Sequence, residues 1–171
     1  MATEHLPRRG ARRGFTLIEA VLVIVILAVL VAVALPAYVS MSKQAESASV
    51  EHLAGTLSSA LNVYSAKMVA GGQTPTLANP FDELVSHPDN YAGAFGDVNL
   101  SNCQPGQWAY QMGDGSNGNW PVVTYRPRST LATAFVWGGV QWIIYEVKPV
   151  TNAQGATVGL AMVEYAPLHK W

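Results

Sequence analysis

The sequence predicts an α+β protein: a long N-terminal α-helix, membrane-spanning in its first half and amphipathic in its second, packed on a C-terminal antiparallel β-sheet. Three observations carry this. Residues 20–39 hold no charged side chain, and about 20 residues at ~1.5 Å each match the ~30 Å apolar core of a bilayer. Apolar residues then recur three and four apart at Val50, Leu53, Leu57, Leu61, Tyr64 and Met68, the stripe of a helix with one buried face. The last third is rich in β-branched and aromatic residues broken by turn formers, the pattern of sequential short strands.

The chain has 171 residues, half of them apolar and 12% charged, which suits one modest domain plus an anchor. Four segments follow: a basic leader at 1–14, an apolar helix at 15–39, its amphipathic continuation at 40–70, and an α+β head at 71–171. Arg8, Arg9, Arg12 and Arg13 precede the apolar run against Glu4 alone, while the remainder sets six Lys and Arg against ten carboxylates. Positive charge flanking a span is retained in the cytoplasm, so the head is expected across the membrane. The outer part is mildly acidic without a basic cluster, so no nucleic-acid partner is expected.

Within the helix, Lys43, Gln44, Glu51, Ser58, Ser65 and Lys67 fall mostly on the face away from the stripe. Gly71-Gly72 and Pro75 end the pattern. Pro36 removes one backbone donor and crowds the preceding turn, which predicts a helix kink there. A static bend and a point of extension both fit such a proline.

Residues 70–119 read as a loop-rich connection. Asn79 and Pro80 suit the N-cap and first turn of a short helix, and Pro88-Asp89-Asn90 suits a turn. The polar glycine-rich segment 113–119 has a calcium-loop flavour, but Ser116 and Gly118 interrupt the Asp/Asn ladder, which favours a plain loop. Strands are expected at 120–126, 131–137, 140–147 and 158–165. Gly138-Gly139 fits a two-residue hairpin turn or a bulge in one longer strand, and 152–157 fits a second turn. Short links favour an antiparallel meander packed on the helix.

No catalytic constellation stands out, so the chain is expected not to be an enzyme and to need neither cofactor nor metal. His5, His52, His87 and His169 are scattered, and CxxC, HExxH and phosphate-cradling glycine loops are missing from the sequence. The one cysteine, Cys103, cannot form an intrachain disulfide. A buried small apolar side chain is the expectation for it, with intermolecular pairing the alternative. Asn99-Leu100-Ser101 matches a glycosylation sequon, a tripeptide common by chance. Trp108, Trp120, Trp137, Trp142 and Trp171 are expected as core and subunit-contact aromatics rather than as a sugar-binding surface.

Glu19 is the odd residue. A carboxylate in a spanning helix costs roughly 2.5–3.5 kcal/mol at mid-helix. A secretory signal cut near Ala34 or Ala37 leaves it unexplained, as does an uncleaved anchor for a tethered sensor. The run Gly14-Phe15-Thr16-Leu17-Ile18-Glu19, behind a basic leader and ahead of a bilayer-length apolar stretch, resembles the type IV prepilin processing site of type IV pilins and of type II secretion pseudopilins. The resemblance implies cleavage between Gly14 and Phe15 by a prepilin peptidase/methyltransferase and N-methylation of Phe15. It also implies assembly through an ion pair between Glu19 of one subunit and the Phe15 amine of a neighbour. Methylation keeps that amine charged, and one partner buried alone is strongly disfavoured, so the pair acts as a register check.

The resemblance further implies copies of the chain itself and related minor pilins as partners. It places the chain in the inner membrane, N-terminus cytoplasmic and head periplasmic, before assembly, and in a cell-surface pilus after it. It implies that Pro36 is where the helix extends in a fibre. The implied function is a structural pilin of a type IV pilus-like filament. The alternatives are a type II secretion pseudopilin, an exported soluble domain with an ordinary signal peptide, and an uncleaved membrane-tethered sensor. Many type IV pilins staple a C-terminal loop with a disulfide, which the lone Cys103 cannot do. Leu53-Ala54-Gly55 and Val63-Tyr64-Ser65-Ala66-Lys67 resemble pilins of the mannose-sensitive haemagglutinin type.

Overall fold

The computed structural model describes residues 14–95, 103–113, 115–116 and 119–165, leaving out the Trp137 side chain. The basic leader up to Arg13, the Asn99-Leu100-Ser101 sequon, Asp114, Asn117 and Gly118 of the glycine-rich loop, His169 and Trp171 lie outside the described residues. The chain divides into two compact units, the first ending at Met41 and the second starting at Ser42.

The first unit is the apolar part of helix α1 (Leu17–Ala70). Residues 21–42 are exposed on every side. This is the chain's one described helix long and apolar enough to cross a membrane, as a segment hydrophobic all round requires. Pro36 stands inside α1, where its missing N–H leaves the Ala32 carbonyl without the usual donor.

Among the described residues the second unit holds the amphipathic part of α1, the 3₁₀ helix Pro80–Glu83, and six strands: β1 (Tyr91–Phe95), β2 (Trp108–Gln111), β3 (Val122–Tyr125), β4 (Phe135–Trp137), β5 (Val140–Thr151) and β6 (Thr157–Glu164). The sheet order is β1-β2-β3-β5-β4, with β6 also on β5. Tyr145 and Glu146 of β5 pair with β3 and with β6, so β6 must lie along the edge of β5 opposite β3.

The fold is the expected helix-on-sheet α+β arrangement, with a difference in topology. β1 and β2 pair in parallel, starting at Tyr91↔Trp108, so the sheet is mixed rather than a pure meander. Both strands fall in the region expected as loop. They are short, β1 carries small residues and a register shift between Tyr91 and Ala94, and neither shows a long alternating run.

The expected strand at 131–137 shortens to three residues because Leu131 and Ala134 close a turn, Ala134 N–H to Leu131 O at 3.3 Å. β5 instead runs on to Thr151, through Pro149. The Val147 N–H donates to Pro121 O at 2.8 Å, and two residues on the Pro149 nitrogen points the same way. β3 pairs β5 only as far as Glu146, so no ladder bond is lost at the proline.

Local signals otherwise fold as their chemistry dictates. Gly72 adopts φ 72°, with Gln73 N–H reaching Met68 O and Gly72 N–H reaching Val69 O, a Schellman stop for α1. Asn79 Oδ1 accepts from the Phe81 N–H at 3.2 Å. Gly138 and Gly139 have φ 59° and 78° and join β4 to β5 in antiparallel register, Trp137↔Val140, a hairpin turn rather than a bulge. Asn152 Oδ1 accepts from the N–H groups of Gln154 and Ala156, closing the last hairpin.

One face of the sheet and the α1 stripe form the core: Trp108, Val123, Ile143, Val147 and Leu160 with Val50, Leu57 and Leu61, plus Phe81 from the 3₁₀ helix. Ser65 corrects the expected helix face. It is buried, and its hydroxyl accepts the Leu160 N–H. Position 65 continues the spacing of Leu57 and Leu61, and a serine there hides the continuation of the stripe. On the other sheet face Cys103, Ala109 and Trp142 form a second cluster.

Candidate functional site

The sequence-predicted site residues Gly14, Phe15 and Glu19 lie at the start of α1. Gly14 and Phe15 precede the first helical residue. Phe15 is 73% exposed, and a Cβ added at Gly14 would meet nothing within 4 Å. The Gly14–Phe15 peptide therefore sits in open, non-helical backbone.

Glu19 lies in the first turn of α1, where the macrodipole favours a carboxylate. Its local partner is Thr16. The Thr16 N–H and hydroxyl donate to Glu19 Oε2 at 3.4 and 3.3 Å, and the Glu19 N–H donates to Thr16 Oγ1 at 3.3 Å. The Thr16 carbonyl accepts the Ala20 N–H at 3.2 Å. Thr16 is thus an N-cap and Glu19 the third helical residue of a reciprocal capping box. The sequence carries the signal for this cap as Thr-x-x-Glu, inside the same motif that places a carboxylate in the apolar helix.

A second polar cluster joins α1 to the head. Glu46 Oε1 accepts from the Tyr125 hydroxyl at 2.9 Å and the Arg128 N–H at 2.6 Å. Oε2 accepts from the Ser129 N–H at 3.2 Å and the Ser129 hydroxyl at 2.5 Å. Partial burial raises the Glu46 pKa, but the hydrogen bonds from Ser129, Arg128 and Tyr125 outweigh it and hold the carboxyl below its ordinary value. The same carboxylate, after burial, pushes the Tyr125 hydroxyl upward. No local pattern announces Glu46, whose partners lie about 80 positions downstream.

Cys103 is fully buried, its thiol 3.5 Å from Gln107 O and pushed up by burial, with Arg126 opposing weakly. A thiol without exposed surface is closed to intermolecular pairing, as the buried-apolar expectation requires. Trp108 and Trp142 are core residues and contribute nothing to a sugar-binding surface. Among the described residues no group of three or more His, Cys, Asp or Glu is placed to hold a metal.

The described chain thus opens on a capped carboxylate at the start of an exposed apolar helix of membrane-spanning length and leads into an α+β head. Residues 9–35 match the family described as the prokaryotic N-terminal methylation motif. The type IV narrow pilus major component PilA5 of Thermus thermophilus is 38% identical over 77 residues, 45% of this chain and 60% of that protein. The chain thus covers less than two thirds of this relative's length. No solved structure matches the chain. The chain thus carries a prokaryotic N-terminal methylation motif and is similar, over part of its length, to a type IV pilus component.

Proposed function

We propose that this chain is a structural subunit of a type IV pilus-like filament, cut between Gly14 and Phe15, methylated on Phe15, and assembled through its N-terminal helix. The observation that carries this is the junction of open backbone at Gly14–Phe15 with a carboxylate one turn into a helix that is apolar over 20–39 and exposed over 21–42. A membrane peptidase needs an accessible peptide, and residues 14–15 offer one. Cleavage would create an amine next to the N-cap Thr16.

The capping bonds to Glu19 are long, at 3.3–3.4 Å. A neighbour's methylated amine offers a donor that is itself charged, whereas the Thr16 donors are neutral. Addition of a subunit then exchanges a local cap for an intersubunit ion pair, while the exposed apolar surface exchanges lipid for neighbouring helices. The chain's role is structural rather than catalytic. Before assembly it is held in the inner membrane with its N-terminus cytoplasmic and its head periplasmic. Its partners are the prepilin peptidase/methyltransferase, further copies of itself and related minor pilins. The pilus is favoured over the secretion pseudopilus because the similar protein carries a pilus component's name.

Mass spectrometry of protein extracted from membranes tests the processing step. The expected mature N-terminus is N-methylated Phe15, and a terminus near Ala34 or Ala37, or none, overturns it. The chain is expected in sheared surface fibres, and Glu19→Ala is expected to remove it from them. Absence from fibres together with an export defect on deletion would assign the pseudopilin instead.

A further inference from the structure

From Val21 to Ser42 every residue of α1 is exposed, and Lys43 is the first residue after this stretch to lose part of its surface. Val50 is the first apolar side chain of α1 to be fully buried. Between them stands Glu46, whose two carboxylate oxygens together accept four hydrogen bonds from Tyr125, Arg128 and Ser129.

That acceptor is anchored to a firm platform. Tyr125 belongs to β3 and packs on Trp108, ring centroids 4.9 Å apart. Arg126 donates from its backbone to Gln107 O at 3.0 Å, accepts from the Gly106 N–H at 2.6 Å, and reaches Cys103 O with its guanidinium at 2.7 Å. The end of β3 is therefore tied to the segment entering β2. The turn of α1 around Ser42, Lys43 and Ala45 has no buried apolar side chain of its own. A helical turn with no buried apolar side chain draws little on the hydrophobic packing that supplies most helical stability in proteins. Hydrogen bonds to an ionised acceptor are the strong kind.

We infer that Glu46 is a positioning residue that fixes where α1 stops being an independent helix and becomes part of the head, one turn ahead of the hydrophobic contact at Val50. The assignment stands on contacts within the second unit and holds whether or not the chain assembles into filaments.

Hydrogen–deuterium exchange on the full chain in detergent micelles tests it, comparing wild type, Glu46→Gln and Ser129→Ala. The carboxamide keeps the size of Glu46 but turns one acceptor into a donor facing donors. Glu46→Gln is expected to speed exchange about tenfold or more at 42–49 and 126–129, with rates at 57–65 unchanged. Ser129→Ala is expected to do the same to a smaller degree. It carries the test alone if Glu46→Gln does not fold. Wild-type rates at 42–49 in the variants would overturn the inference. So would a uniform rise from 42 to 65, which would make Glu46 one more contact among many.

Discussion

The Leu160 N–H donates to the Ser65 hydroxyl at 3.0 Å, joining residues 95 positions apart. Leu160 pairs with Pro149, whose nitrogen faces away from β6, so the Leu160 N–H faces away from β5. The bond therefore lets α1 satisfy an outward-pointing donor of an edge strand and cover part of an edge that would otherwise invite pairing with another chain. Ser65→Ala removes the acceptor and keeps the helix. The expected cost is about 1–3 kcal/mol for a buried N–H left unsatisfied, read as a lower Tm of the head in circular dichroism, with faster amide exchange at Leu160.

The capping box makes a separate prediction at the other end of α1. Thr16→Val keeps shape and loses the hydroxyl that both donates to and accepts from Glu19. The expected loss is about 0.5–2 kcal/mol of helix-start stability, visible as fraying of residues 16–20 by NMR in micelles. Thr16→Ser should restore the wild-type signature, and equal fraying in both variants would remove the hydroxyl from the account.

Acid should loosen the head through Glu46. Its folded pKa lies below the ordinary carboxyl value, so the stability it adds is fully present above the unfolded value and is lost as pH falls through the folded one. The Tyr125 hydroxyl and the Arg128 backbone face it and stay uncharged in that range. Thermal melts are expected to be insensitive to this group at neutral pH and to drop in the acid range, with a shallower acid drop in Glu46→Gln. Superimposable pH profiles for the two proteins would count against it.

Cys103 should resist thiol reagents in the folded protein and react on denaturation, because it is fully buried and burial raises its pKa. A maleimide mass-shift assay with and without denaturant reads this directly. Prompt labelling of the native chain would contradict the structure.

What the sequence makes legible follows from the range of the interactions involved. The α1 stripe, the Schellman stop at Gly72, the Asn79 cap and the Gly138-Gly139 hairpin are each written within a few residues, and each was readable. β1 and β2 were not, since a parallel pair of four or five residues is stabilised by neighbours supplied by distant chain rather than by its own alternation. Ser65 and Glu46 escaped for the same reason. A serine on a buried face and a glutamate in a polar turn look like solvated residues until Leu160 and Ser129 are brought beside them. At the candidate site the order was reversed. The motif at Gly14, Phe15 and Glu19 stood out, while the cap at Thr16 went unnoticed inside it.

The Thr16–Glu19 cap has a consequence for disassembly. On the filament reading, a subunit that leaves the fibre does not carry away a bare carboxylate, since the Thr16 hydroxyl and N–H are already in place to receive it. The barrier to leaving is lowered at its most expensive point, so growth and retraction can run along the same path with the same few atoms changing hands.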